Sequence, residues 1–214
     1  PEGNEYTETI EVVVVRQVSG TGQYISDNTA DGETHGFYVT TTGDRISGTP
    51  EVVLSGGNDV VVSNKNMQYM EMDLGAGDDT LTMNTSDYAL QYSTITAGEG
   101  NKVIKIAGST AALMNGSRLV LGDGDNDVTL SGTWALSTSS GVEAGNGNNT
   151  ITLNGGAIGF NANDYSYVKT GDGKNTVTVT GGSGRYGLSY GYIATGAGDD
   201  AITVRTTGQQ GMGN

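Results

Sequence analysis

The chain has 214 residues, 36 of them glycine, 2 proline and none cysteine; this is length for one cored domain or one repeat array, and it excludes collagen, disulfide frameworks, thiol catalysis and cysteine-based zinc sites. Lys and Arg number 10 against 24 Asp and Glu, a net charge of -14, which is the wrong sign for a nucleic-acid backbone and disfavours an anionic membrane surface. The single His35 rules out any site that needs two histidines, and no apolar run reaches the ~18 residues of a membrane span.

The chain begins at Pro1 with no visible signal peptide, which implies a processed or excised chain. Residues 1–50 read as an N-terminal strand and cap region. The run from Ile10 to Val18 places Ile10, Val12, Val13, Val14, Val15 and Val18 on both faces of one strand. Such a strand wants burial on both sides, so it is expected either to fold back as a cap or to complete the sheet of another copy. Glycine- and aspartate-rich turns follow, then Phe37-Tyr38-Val39.

From residue 51 to 205 one segment recurs seven times: SGGNDVVVS from Ser55, GAGDDTLTM from Gly75, GEGNKVIKI from Gly98, GDGDNDVTL from Gly122, GNGNNTITL from Gly145, GDGKNTVTV from Gly171 and GAGDDAITV from Gly196. The two glycines permit a sharp corner, the Asp and Asn side chains bond nearby backbone, and the alternation that follows is strand periodicity. Aligned on their starts, the units give apolar columns. Val61, Leu81, Ile104, Val128, Ile151, Val177 and Ile202 form one; Met83, Ile106, Leu130, Leu153, Val179 and Val204 form the next. Val52, Met72, Ile95, Leu119, Val142, Val168 and Ile193 lie before the turns, and Leu90, Leu113, Leu136, Phe160 and Leu188 lie later in each unit. Strand parity turns all of these inward and turns Thr82, Thr129, Thr152, Thr178 and Thr203 outward. The spacing therefore predicts an all-β fold, a parallel, right-handed β-solenoid of about seven coils of 20–26 residues, with three short strands per coil. The tail, 206–214, looks too short to form a capping helix or strand.

The turns Gly75-Ala76-Gly77-Asp78-Asp79-Thr80-Leu81 and Gly196-Ala197-Gly198-Asp199-Asp200-Ala201-Ile202 resemble RTX, or haemolysin-type, calcium-binding repeats. The resemblance implies a secreted bacterial protein with Ca²⁺ held between stacked turns. On that reading the metal ligands are Asp59, Asp78 and Asp79, then Asp123, Asp125 and Asp127, then Asp199 and Asp200, hard oxygen donors suited to calcium. The alternative needs no metal. Stacked Asn and Asp side chains bond to the turns above and below, as polar ladders do in cross-β stacks.

A second candidate site is aromatic. Parity places Tyr165, Tyr167, Tyr190 and Tyr192 outward as a two-by-two patch, able to contact glycan or a neighbouring protein. The function expected is a non-catalytic extracellular or cell-surface structural protein, a homo-oligomer assembling head to tail into a filament or layer. A calcium-dependent adhesin that binds polysaccharide is the alternative, and a polysaccharide-active enzyme the third.

Overall fold

The structure, a computed structural model, describes residues 12–17, 24–27, 34–41, 45–47, 51–54, 56–161, 165–182, 186–189, 191–208 and 210–213. Up to residue 51, and at 156–161, 186–189 and 210–213, only the backbone is described. Every regular element among them is a β-strand. Every ladder is parallel, so the fold is a β-solenoid, as the repeat requires.

One coil shows how the sequence makes the shape. Thr80–Thr85 leaves the glycine turn, Tyr88–Gln91 forms the second face and Thr94–Ala97 the third. Between the second and third faces the chain bends through a residue with positive φ. This is Tyr69, Tyr92, Asn115 or Tyr165 in different coils, with φ of 50° to 57°. In two coils the first corner is straightened, so that Asp127–Ser137 and Thr150–Asn161 run through both faces and join them into a 15-stranded sheet. The third faces make a separate eight-stranded sheet.

Each apolar column of the sequence is a ladder in register. Val61 pairs with Leu81, Leu81 with Ile104, Ile104 with Val128, Val128 with Ile151 and Ile151 with Val177. All six side chains are fully buried. Val52, Met72, Ile95, Leu119, Val142 and Val168 stack likewise on the third face. At ~25 cal/mol per Å² of apolar area removed from water, these stacked columns are the main stabilising term. The outward threonines 82, 129, 152, 178 and 203 are half-buried, the first four flanked by strands on both sides and Thr203 by Thr178 on one.

The ladders cross both boundaries drawn from the repeat. Val12–Gln17 pairs with Thr34–Thr41, which pairs with Asn58–Ser63; Tyr24–Asp27 pairs with Glu51–Leu54 and Arg45–Ser47 with Asn66–Gln68. The coil count therefore differs slightly from seven: the third-face sheet has eight strands, the first of them from before the repeat. Val12, Val13, Val14 and Val15 extend their own solenoid on one side. They pair with Gly36, Phe37, Tyr38 and Val39 of their own chain. Ile10 and Val18 lie outside the described residues. At the other end Gln210–Gly213 does form a strand, paired with Tyr186–Ser189. The tail needed no repeat signature to do so, because it extends a ladder that already existed.

Candidate functional site in the stacked turns

The glycine turns stack so closely that backbone packs on backbone. The third residue of each turn has φ between 112° and 146°, a region nearly closed to other residues. Its N–H bonds the next turn: Gly124 N–H donates to the Asn146 carbonyl and Gly147 N–H to that of Asp172, each at 2.8 Å. A Cβ at Gly147 would lie 2.2 Å from the Gly124 oxygen. Glycine is required here twice, by conformation and by space.

The two Asx positions after that glycine point in opposite directions. The outer column is exposed: Asn58, Asp78, Asn101, Asp125 and Asn148. Each accepts the N–H of its equivalent one coil later, with N···Oδ1 distances of 2.8, 2.7, 2.8, 2.7 and 3.1 Å, ending at Lys174. A parallel exposed ladder runs through the turn's second residue, from Asp123 to Asn146, Asp172 and Ala197. The Asn146 backbone N–H is the main reason the Asp123 carboxyl lies below the usual carboxylate range.

The inner column is Asp59, Asp79, Lys102, Asn126, Asn149, Asn175 and Asp200, buried as far as Asn175. Here the bonds run the other way, from the N–H of one coil to the side chain of the next. Asn126 N–H donates to Asn149 Oδ1 at 3.3 Å, Asn149 N–H to Asn175 Oδ1 at 3.2 Å and Asn175 N–H to Asp200 Oδ1 at 2.9 Å. That last bond is the largest influence holding Asp200 below the usual range. Each Asn also turns Nδ2 onto carbonyls of its own turn, Asn149 onto Gly145 at 2.9 Å and Gly147 at 3.2 Å. Lys102 fills the same role with an ammonium. Its Nζ donates to Gly77 O at 2.6 Å, Glu99 O at 3.0 Å and Gly100 O at 3.2 Å, and faces Asp79 Oδ2 at 3.5 Å.

This arrangement tests the calcium expectation. Asp78, Asp123 and Asp125 spend an oxygen on backbone N–H groups, and Asp127 and Asp199 are exposed on the flank and on the last turn. The side chains that line the turns inside are amides, the Lys102 ammonium and the carboxylates of Asp59 and Asp79. Among the described residues no three carboxylate or imidazole groups converge. The hydrogen bonds of these columns are those of a polar ladder, which needs no metal, whereas a calcium ion takes six to eight oxygens.

The aromatic candidates divide. Tyr167 and Tyr192 stack at 5.6 Å, with Lys169 Nζ 4.8 Å from the Tyr167 ring. Tyr167 lies across Gly141, where a Cβ would meet its ring at 2.3 Å, and its hydroxyl donates to Glu143 Oε1. Desolvation first and that carboxylate second push the Tyr167 hydroxyl up to about 12. Tyr165 stands apart at the positive-φ corner, 78% exposed, and Tyr190 lies outside the described residues. Tyr69 and Tyr92 form a second stack, centroids 4.9 Å apart.

The sequence reading missed a further polar column at that corner. Ser93, Ser117, Ser140 and Ser166 are buried there. Met70 N–H donates to Ser93 Oγ at 3.1 Å, Ser93 N–H to Ser117 Oγ at 3.3 Å and Ser140 N–H to Ser166 Oγ at 3.1 Å. The available signal was a serine five residues before four of the turn starts. Compared with known proteins, the chain matches no protein-family model, no curated protein and no solved structure.

Proposed function

We propose that the protein is a non-catalytic, extracellular structural rod whose solenoid ends stack on further copies of itself, making it a head-to-tail subunit of a surface filament or layer. The observation that carries this reading is the state of the core columns at the last described coil. Val177 is fully buried, yet its in-register successor Ile202 is 49% exposed. Ile193 and Val204 are likewise only partly covered, whereas Val168 and Val179 beneath them are fully buried. Among the described residues, Tyr192–Ala194 and Ala201–Thr206 pair on one side only, as does Val12–Gln17 at the opposite end. Open strand edges over exposed core are templates for another strand, and a contact between unlike ends propagates rather than closes.

The polar columns favour the same partner. A further coil in register would offer an N–H to Asp199 and take one from Asp200, continuing both ladders. The exposed Asp78 and buried Asp79 point in different directions, which supports the non-catalytic reading over a pair of facing acids at that turn. Light scattering and negative-stain electron microscopy against protein concentration test the proposal. Rods that lengthen with concentration, and that Ile202→Asp shortens to single subunits with an unchanged circular dichroism spectrum, support it. A monodisperse monomer at high concentration overturns it, and leaves a further coil of a longer chain as the natural cover.

A second reading rests on the Tyr167–Tyr192 stack with Lys169 above it, a partly exposed aromatic strip suited to a sugar ring. Glycan-array binding that is lost in Tyr192→Ala would favour an adhesin.

A further inference from the structure

Lys102 is the one basic residue in a column of amides and carboxylates, and its surroundings show what it replaces. In the later coils each inner Asn presents two groups in fixed places. Its Oδ1 accepts the N–H of the coil before, and its Nδ2 donates to the carbonyl of its own turn's third residue: Gly124 for Asn126 at 3.1 Å, Gly147 for Asn149 at 3.2 Å, Gly173 for Asn175 at 3.3 Å. Asp79 occupies the same position two coils before Asn126. Its Oδ1 does what an Asn Oδ1 does, accepting the Asp59 N–H at 2.9 Å. The third-residue carbonyl of its turn, Gly77 O, also receives a nitrogen at 2.6 Å, but that nitrogen is Lys102 Nζ. Asp79 Oδ2 is left buried without a hydrogen bond, 3.5 Å from the same Nζ, and both side chains are 0% exposed.

We propose that Asp79 and Lys102 condense into an intramolecular isopeptide bond, which makes Asp79 an N-substituted asparagine and completes the amide column. The proton that charges the lysine passes to Oδ2. The neutral amine attacks Asp79 Cγ, the C–N bond forms, the Cγ–Oδ2 bond breaks, and Oδ2 leaves as water with that proton and a second one from nitrogen. The remaining amide N–H stays on Gly77 O, and Oδ1 stays on the Asp59 N–H. That donor is already aimed where charge develops on Oδ1 during attack, an oxyanion contact made by the backbone. No oxidant, cofactor or second enzyme is needed, because the coil-on-coil stacking holds the two groups together.

The alternative state is costly. An ion pair removed from water keeps a desolvation penalty that its Coulomb attraction offsets only with full hydrogen bonding, and here Oδ2 lacks it. Burial pushes the Asp79 carboxyl up and the Lys102 ammonium down, in both cases as the largest influence, toward the acid and amine that react. Condensation removes both charges. Its cost is two Nζ contacts, to Glu99 O at 3.0 Å and Gly100 O at 3.2 Å; Glu99 O keeps the Gly77 N–H at 2.8 Å. The bond would lie on the strand-to-strand axis and tie two successive coils covalently, independently of whether the rod assembles.

The test uses the protein with its own sequence, denatured and digested with trypsin. Between Lys65 and Lys105 the chain has no basic residue but Lys102. The expected product is fragment 66–105, uncut at Lys102, lighter than its sequence by one water, with tandem spectra that place a closed loop between residues 79 and 102. Lys102→Arg should restore both the cut at 102 and the full mass. Fragment 66–102 as the main species at its sequence mass overturns the proposal. So does a fragment 66–105 lighter by one water whose spectra place the loss anywhere other than a link between residues 79 and 102.

Discussion

Asn126 Nδ2 donates to Asn149 Oδ1 at 2.8 Å, with both side chains at most 1% exposed. One atom of Asn149 thus serves two groups of the coil before it, and its own Nδ2 serves three oxygens, those of Gly145, Gly147 and Asn175. Asn149→Ala strands several buried partners at once. At about 1–3 kcal/mol for each group left unsatisfied, the expected loss is roughly 3 kcal/mol or more. Asn148→Ala, one residue away in the exposed column, should cost under about 1 kcal/mol. Urea melts of the two variants check the contrast, and equal midpoints would refute an inner ladder.

The glycines allow a similar comparison. Gly147→Ala meets both an adverse φ of 130° and the Gly124 oxygen, so we expect a loss above ~3 kcal/mol or failure to fold. Gly116 also has positive φ, at 75°, but nothing lies within 4 Å of a Cβ there. Its alanine variant should lose only the left-handed penalty, about 1–2 kcal/mol. Thermal melts separate stacking from conformation.

Parity within one strand gives the third prediction. Ile151 is fully buried between Val128 and Val177, while Thr152 faces outward between Thr129 and Thr178. Ile151→Asp buries a charge with no partner and should cost several kcal/mol. Thr152→Asp should cost under about 1 kcal/mol. Comparable melting temperatures would mean that the register is wrong.

Metal removal is the fourth. Because the Asp oxygens of the outer columns are engaged by backbone N–H groups, melts in millimolar calcium and in EDTA should coincide. A ligand that binds only the folded state at a hundredfold excess over its Kd raises stability by ~2.7 kcal/mol. A shift of that size would restore the calcium reading.

Acid and alkali act on different residues. Asp123 and Asp200 have folded pKa values below the ordinary 3.8. Their contribution is therefore present above the unfolded value and lost as pH falls through the folded one, so stability declines below about pH 4. Tyr167 is the reverse case. Its folded value of about 12 against 10.0 unfolded means stability falls as pH rises across that interval. A spectrophotometric tyrosine titration should show a late component that Tyr167→Phe removes.

Most of the core was legible in the sequence because two periodicities agree: glycine turns every 20–26 residues fix the coil, and alternation fixes which side chains turn inward. The first coils were not legible. Thr34-His35-Gly36 pairs in register with Asn58-Asp59-Val60, yet no Gly-x-Gly-Asx turn precedes it, so the alignment had nothing to hold. Lys102 was readable as a departure from the Asx pattern but not as buried, since lysine is almost never fully buried unless paired, and its partners are carbonyls contributed by folding. The serine column was hidden because single serines in a glycine-rich chain look like ordinary loop residues. Adjacent Asx residues facing opposite ways follow from strand alternation; that their hydrogen bonds run in opposite directions does not.

Coils that meet in register, column on column, make the chain a ruler. Leu121 and Ala144 are partners on successive rungs of the third face, so deleting residues 122–144 would splice one turn start onto the next with every column intact. The product should be the same solid, shorter by one strand spacing of ~4.8 Å. Length in such a molecule is set by counting coils, and it can be lengthened or cut in whole steps without redesigning what lies on either side.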